Sequence, residues 1–177
     1  TFHRQDFFFL NYAYKGSYDA ISYQYDNFIT IGEGECYVGQ PYTGYALNKD
    51  GDEEFIIIGV LMKKDLFFRS FLPVLSQDPA LFKFFLEPRI NQFSDEFLHL
   101  RFEKNSPLRI LLEMMVQEYA AKKADTQAIL KPLAMAVLMH IARQYRVERP
   151  EEKPKRLSEQ IVRYMGEHTE TVTLKEI

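Results

Sequence analysis

The spacing of apolar residues changes once along this chain, near residue 63, and that change limits the folds open to it. Before it, short apolar runs recur between turn-formers; after it, apolar residues repeat every three to four positions. The spacing predicts an α+β chain: an antiparallel barrel or sandwich over residues 1–62, then a helical part over 63–146.

The strand signals are Phe7-Phe-Phe-Leu-Asn-Tyr-Ala-Tyr14, Tyr23 to Ile31, Cys36-Tyr-Val, and Glu54-Phe-Ile-Ile-Ile-Gly-Val-Leu61. Between them stand Lys15-Gly16-Ser17, Gly32-Glu33-Gly34, Pro41-Tyr-Thr-Gly44 and Asn48-Lys-Asp-Gly-Asp52, all rich in turn residues. Short strands broken about every ten residues favour an antiparallel architecture over a parallel sheet. A further run, Phe97 to Phe102, alternates with period two and is expected to return to the sheet.

A first helix is predicted over Lys64 to Leu72, stopping near Pro73, and another after Asp78-Pro79. Ser106-Pro107 reads as an N-cap followed by a first-turn proline. Leu108, Leu111, Leu112, Met115 and Tyr119 then mark one helix face. A second helix carries Leu130, Leu133, Ala134, Val137, Leu138, Ile141 and Tyr145, with Pro132 predicting a kink or a frayed first turn. The joint at 122–126 is short enough to make the pair an antiparallel hairpin over 106–146. Ile110, Met114 and Val116 on one helix, and Ile129, Met135, Ala136 and Met139 on the other, widen the apolar stripe. Either a thicker core or a second copy of the chain must cover it. For a dimer interface the candidates are Ile110, Met114, Met135 and Met139.

Residues 147–156 contain seven charges and two prolines, a linker composition. A helical pattern resumes at Leu157, and Thr173 with Glu176 has capping-box spacing at the start of another helix. The expected organisation is one domain over 1–146, a linker over 147–156, and the start of a second domain, cut short, over 157–177.

A net charge of −3 excludes a chain that wraps nucleic acid through an overall basic surface. The single cysteine, Cys36, excludes an internal disulfide and reads as a buried thiol suited to a reducing cytoplasm. No signal peptide and no apolar run long enough to span a bilayer is visible, so a cytoplasmic protein without a membrane partner is expected. Nucleotide-binding glycine patterns and a nucleophile elbow are also missing from the sequence.

The segment His3-Arg-Gln-Asp-Phe-Phe-Phe-Leu10 with Lys15-Gly16 is similar to the opening of AraC-family sensor domains. Ile29-Thr-Ile-Gly-Glu-Gly34-Glu35, the strand to Gln40, Pro41 and Tyr45 resemble the second motif of their cupin-like barrel. The hairpin at 106–146 resembles that family's dimerisation helices. Arg156-Leu-Ser-Glu-Gln-Ile-Val-Arg-Tyr-Met-Gly-Glu-His168 and Thr171-Val-Thr-Leu-Lys-Glu-Ile177 resemble the opening of its double helix-turn-helix domain. The resemblance implies a transcription regulator's effector-binding and dimerising part. DNA would be bound only through the helix-turn-helix domain, whose recognition helices are not in this sequence.

Catalytic cupins hold a metal with His-x-His, a Glu and a second-motif His. On the matching positions stand His3, Gln5, Phe9 and Tyr45, and one imidazole of four ligands does not make a metal site. No cofactor and no enzyme activity is therefore expected; a cupin-type metal enzyme, such as a sugar isomerase or oxygenase, is the rival reading. Strand parity places His3, Gln5, Phe7, Phe9 and Asn11 on one face, with Tyr45 opposite. Aromatic surface mixed with amide, phenol and imidazole groups suits a small effector, a sugar or an apolar ligand. A filled core and a pure dimerisation scaffold remain open beside it. His99 and His140 read as structural, Glu33 and Glu35 as exposed turn residues with Glu35 bracing the turn, and the phenylalanines at 67–85 as core.

Overall fold

The computed structural model describes residues 5–22, 27–48, 54–75, 79–86 and 96–148. Their strands are β1 (Phe7–Lys15), β2 (Tyr18–Ser22), β3 (Asn27–Ile31), β4 (Glu35–Gly39), β5 (Tyr45–Asn48), β6 (Ile56–Lys63) and β7 (Phe97–Arg101). Their helices are α1 (Lys64–Ser70), α2 (Leu72–Leu75), α3 (Pro79–Leu86), α4 (Pro107–Ala121) and α5 (Thr126–Glu148). Strand β1 lies inside the larger sheet, paired on both sides.

That sheet has the order β6-β1-β4-β7, and a smaller one has the order β3-β2-β5, with every pairing antiparallel. Side chains alternate along β1. Phe8, Leu10 and Tyr12 are buried in a core shared with the helices, while Phe9 and Ala13 are buried in a second cluster with Tyr18, Ala20 and Ile31 of the smaller sheet. The molecule is therefore layered: small sheet, large sheet, helices.

Aromatic packing dominates the helical side. The Phe8 ring lies 4.2 Å from Phe67 and 5.6 Å from Phe85, and Phe67 lies 4.8 Å from Phe85. Leu108, Leu112 and Met115 of α4 and Val137, Leu138, Ile141 and Tyr145 of α5 complete this core. Burying each such large apolar side chain contributes about 1.5–3 kcal/mol. Cys36 is fully buried among them, and burial pushes its thiol pKa up, so it acts as a small apolar side chain.

Several local expectations need correction. β2 and β5 carry weak signals of their own, since Asp19 and Asn48 interrupt short runs, and neither was predicted as a strand. The first helix ends at Ser70, not Leu72. Pro73 instead sits in the opening turn of α2, where its missing N–H leaves no carbonyl unpaired. Ser106 precedes α4, but among the described residues its buried hydroxyl makes no cap bond and has no hydrogen-bond partner. α5 runs unbroken through Pro132 and on to Glu148, two residues into the predicted linker. Tyr119 shares the azimuth of the buried α4 residues yet is exposed, because it lies beyond the end of the core. Glu35 is mostly buried, not exposed.

The hairpin joint is specific. Lys122 adopts a left-handed conformation at the end of α4. The Thr126 hydroxyl, buried at the start of α5, donates to Glu118 Oε1 at 2.8 Å and accepts the Lys123 N–H at 3.0 Å. Among the described residues no helix is long and apolar enough to cross a membrane. The expected linker from Arg149 and the helix-turn-helix start at 157–177 lie outside the described residues.

Phe8→Ala is expected to lower stability by about 3–5 kcal/mol in urea unfolding. Phe28→Ala, on a side chain 66% exposed, should change it by less than about 0.5 kcal/mol.

Candidate functional site

The space between the sheets is lined by neighbours fixed in register. In the large sheet Phe9 lies between Leu61 and Gly39, and Gly39 lies beside Phe97. One step along, Asn11 lies between Gly59 and Tyr37, and Tyr37 lies beside His99. Strand parity aims all of these toward the small sheet. From that sheet Tyr18 and Tyr45 face them: the Asn11 side-chain amide donates to the Tyr45 hydroxyl at 3.2 Å, and the Tyr18 hydroxyl donates to the Asn11 backbone carbonyl at 3.4 Å.

The rings form a connected set. Tyr37 stacks on Phe97 at 4.8 Å and on Phe9 at 5.9 Å, and Tyr45 packs against Phe9 at 5.2 Å and Tyr37 at 5.0 Å. Gly39 makes the arrangement possible. A Cβ there would lie 2.1 Å from the Phe9 ring, so the ring rests directly on the β4 backbone. Burial pushes the Tyr45 phenol pKa up against the lowering effect of Asn11 and Tyr18. Burial and the neighbouring Tyr45 push Tyr18 up as well, so both stay protonated at neutral pH and can donate or accept.

Of the residues singled out by sequence, the structure brings Phe9, Asn11 and Tyr45 together. Phe7 shares their strand parity and is half-buried at the start of β1. Gln5 is exposed, and its carbonyl accepts the Tyr42 N–H at 2.7 Å, tying the β1 entry to the β4–β5 turn. His3 lies outside the described residues. Tyr18, Tyr37 and Phe97 line the same space and were missed. Their pairing partners are distant in sequence, although the aromatic at 37 alternates with Cys36 and Val38 as a two-faced strand should.

A polar cluster borders these rings. Glu35 accepts the Gly32 N–H at 3.0 Å, bracing the β3–β4 turn, and also engages His99 Nε2 at 2.7 Å and Arg101 Nε at 3.0 Å. Burial works against its charge, but the Gly32 amide, His99 and Arg101 outweigh it and hold its carboxyl below the usual range. Among the described residues no group of three or more His, Cys, Asp or Glu is arranged to hold a metal ion.

On the helices, Ile110, Met114 and Met139 are exposed, at 56%, 47% and 40% respectively. They point away from the buried Leu108, Leu112, Val137 and Leu138. Met135 differs: it is half-buried and packs against the core.

Gly39→Ala should destabilise by about 1–3 kcal/mol in wild type by forcing the Phe9 ring from its seat. In a Phe9→Ala background the same substitution should cost measurably less, a non-additivity that urea unfolding of the four proteins reads directly. Glu35→Gln should cost about 1–2 kcal/mol at pH 7. Because the folded-state pKa is depressed, this contribution is present above the ordinary value of 4.5 and is lost as pH falls through the lower folded value. The stability gap between the two proteins should therefore narrow below pH 4.5.

No family model and no curated protein matches the chain. Among solved structures it is similar to ToxT of Vibrio cholerae, an AraC-family regulator, in a ligand-free, singly substituted form. The identity is 14%, over 98% of this chain and 61% of that one, with a TM-score of 0.53. A second ToxT structure, with an unsaturated fatty acid bound, matches at 13% identity over 78% of this chain and 46% of that chain, with a TM-score of 0.45. The chain thus spans about three-fifths of ToxT's length. What is shared is the fold: an α+β arrangement in which a strand-rich part is followed by helices.

Proposed function

We propose that this chain is the sensor and dimerisation part of an AraC-type transcription regulator. A small effector binds between the two sheets, two copies pair through α4 and α5, and a helix-turn-helix domain beginning near residue 157 contacts DNA. The observation that carries this reading is the Asn11–Tyr45 contact bridging the sheets inside a wall of aromatic rings. Neutral amide and phenol groups among flat apolar faces suit a ligand with apolar surface and few polar atoms, a sugar stacked on its ring face or an apolar chain. A regulator with the same fold supports a binding role over catalysis. The Phe9 and Tyr45 side chains supply neither the charge nor the basicity that a metal-dependent cupin enzyme requires. Stoichiometric iron, zinc or manganese in the purified protein would overturn this.

The dimer reading rests on Ile110 and Met114 of α4 and Ile129 and Met139 of α5, all exposed on the outward half of the hairpin. Met135, packed partly against the core, contributes at most its edge. Effector binding acts on the attached domain only if the ligand favours one of two arrangements.

Light scattering at micromolar concentration should give a dimer, and Ile110→Asp with Met114→Asp should give a folded monomer. A wild-type monomer would refute the pairing. A thermal-shift panel of sugars, fatty acids and other lipids should yield at least one stabiliser. At 100 times its dissociation constant a ligand adds roughly 2.7 kcal/mol; uniform absence of a shift would favour a closed scaffold.

A further inference from the structure

Strand β7 meets the inter-sheet rings at one end and the last turn of α5 at the other. Its first residue, Phe97, stacks on Tyr37 with the rings 14° from parallel. Its last residue, Arg101, donates its backbone N–H to Glu148 Oε1 at 2.8 Å. Glu148 ends α5, and the same oxygen accepts from Gln144 one turn earlier at 2.9 Å. Between those ends, His99 and Arg101 are both held on Glu35, and Leu98 and Leu100 are buried in the core that contains Ile141 and Tyr145.

β7 is also placed to move as a unit. It is five residues long and stands at the margin of the large sheet, paired with β4 among the described residues. A marginal strand leaves one row of backbone groups outside the ladder, and Glu148 takes one of them. β6, at the opposite margin, borders the same cluster at Gly59, which lies beside Asn11.

We propose that β7 carries the state of the inter-sheet site to the C-terminal end of α5, with Glu148 as the connecting residue. This rests on the inter-sheet cluster being the effector site. A molecule seated against Tyr37 and Phe97 shifts β7 relative to β4, and that shift strains or releases the Arg101–Glu148 bond. The last turn of α5 then takes one of two arrangements, bonded or free. The charged, proline-containing stretch after it receives the change. Both ends of the device bias the same element, as coupling between sites requires.

Amide hydrogen exchange by mass spectrometry on the full 177-residue chain tests this with no ligand added. Glu148→Ala should accelerate exchange at 141–148 and at the Arg101 amide by about tenfold, the loss of one charge-assisted hydrogen bond. Phe97→Leu should accelerate 141–148 several-fold, while 108–115, reporting global opening, stays at the wild-type rate. Phe97→Tyr, which keeps the stack, should restore wild-type exchange. If Phe97→Leu does not fold by circular dichroism, Phe97→Met takes its place. Acceleration confined to the strands, or an Arg101 amide indifferent to Glu148→Ala, would overturn the proposal. Because no effector is present, such a failure is distinct from a failure to find a ligand by thermal shift.

Discussion

The packing of β1 on both of its faces is the constraint on which the other layers depend. Phe8, Leu10 and Tyr12 hold the helices, and Phe9, Asn11 and Ala13 meet the small sheet. A slip of one residue against β4 or β6 would exchange the two sets and put Asn11 into the aromatic core. Burial of an unpaired amide there costs several kcal/mol, so the register is strongly enforced. The layered order of the molecule follows from it.

The inter-sheet space inherits its chemistry from the same register. Phe9 sits flat on Gly39 because no side chain stands there, and the ring meets Tyr45 and Tyr37 rather than a metal ligand. Protonated phenols, an amide and ring faces can discriminate shape and a few hydrogen bonds, but they supply no strong base or nucleophile. Charge is kept to the border, where Glu35 is satisfied by Gly32, His99 and Arg101.

The helical layer divides its apolar residues between two tasks. Leu108, Leu112, Val137 and Ile141 close the core, and that core is complete without Ile110, Met114 and Met139. Arg109 fastens α4 to the sheet, stacking 3.9 Å over the Tyr14 ring and donating to the Tyr14 carbonyl, while the Tyr14 hydroxyl donates to Glu113. Glu148, at the end of α5, fastens that helix to β7. The pair of helices is thus attached to the large sheet at two separate strands, which gives β7 its distinct position.

Periodicity alone determined the class of the molecule, strands first and helices after, and strand parity alone put Phe9 and Asn11 on one face; Tyr45 was expected opposite them only from the resemblance of its segment to a cupin motif. Both are local properties, set by the alternation of Cβ directions along a strand and by the 3.6-residue helical turn. Other features depended on neighbours that the linear order does not specify. β2 is paired with β3 and β5 and packs on the Phe9 and Ala13 face of β1, and the short, polar-interrupted runs of β2 and β5 carried little signal by themselves. Tyr37 and Phe97 become partners through the pairing of β4 with β7, across some sixty intervening positions. Glu35 looked like a turn residue at the surface, and only β7 lying alongside brought His99 and Arg101 to bury it. Local spacing is written in the chain; which faces meet is decided by the free energy of covering them together.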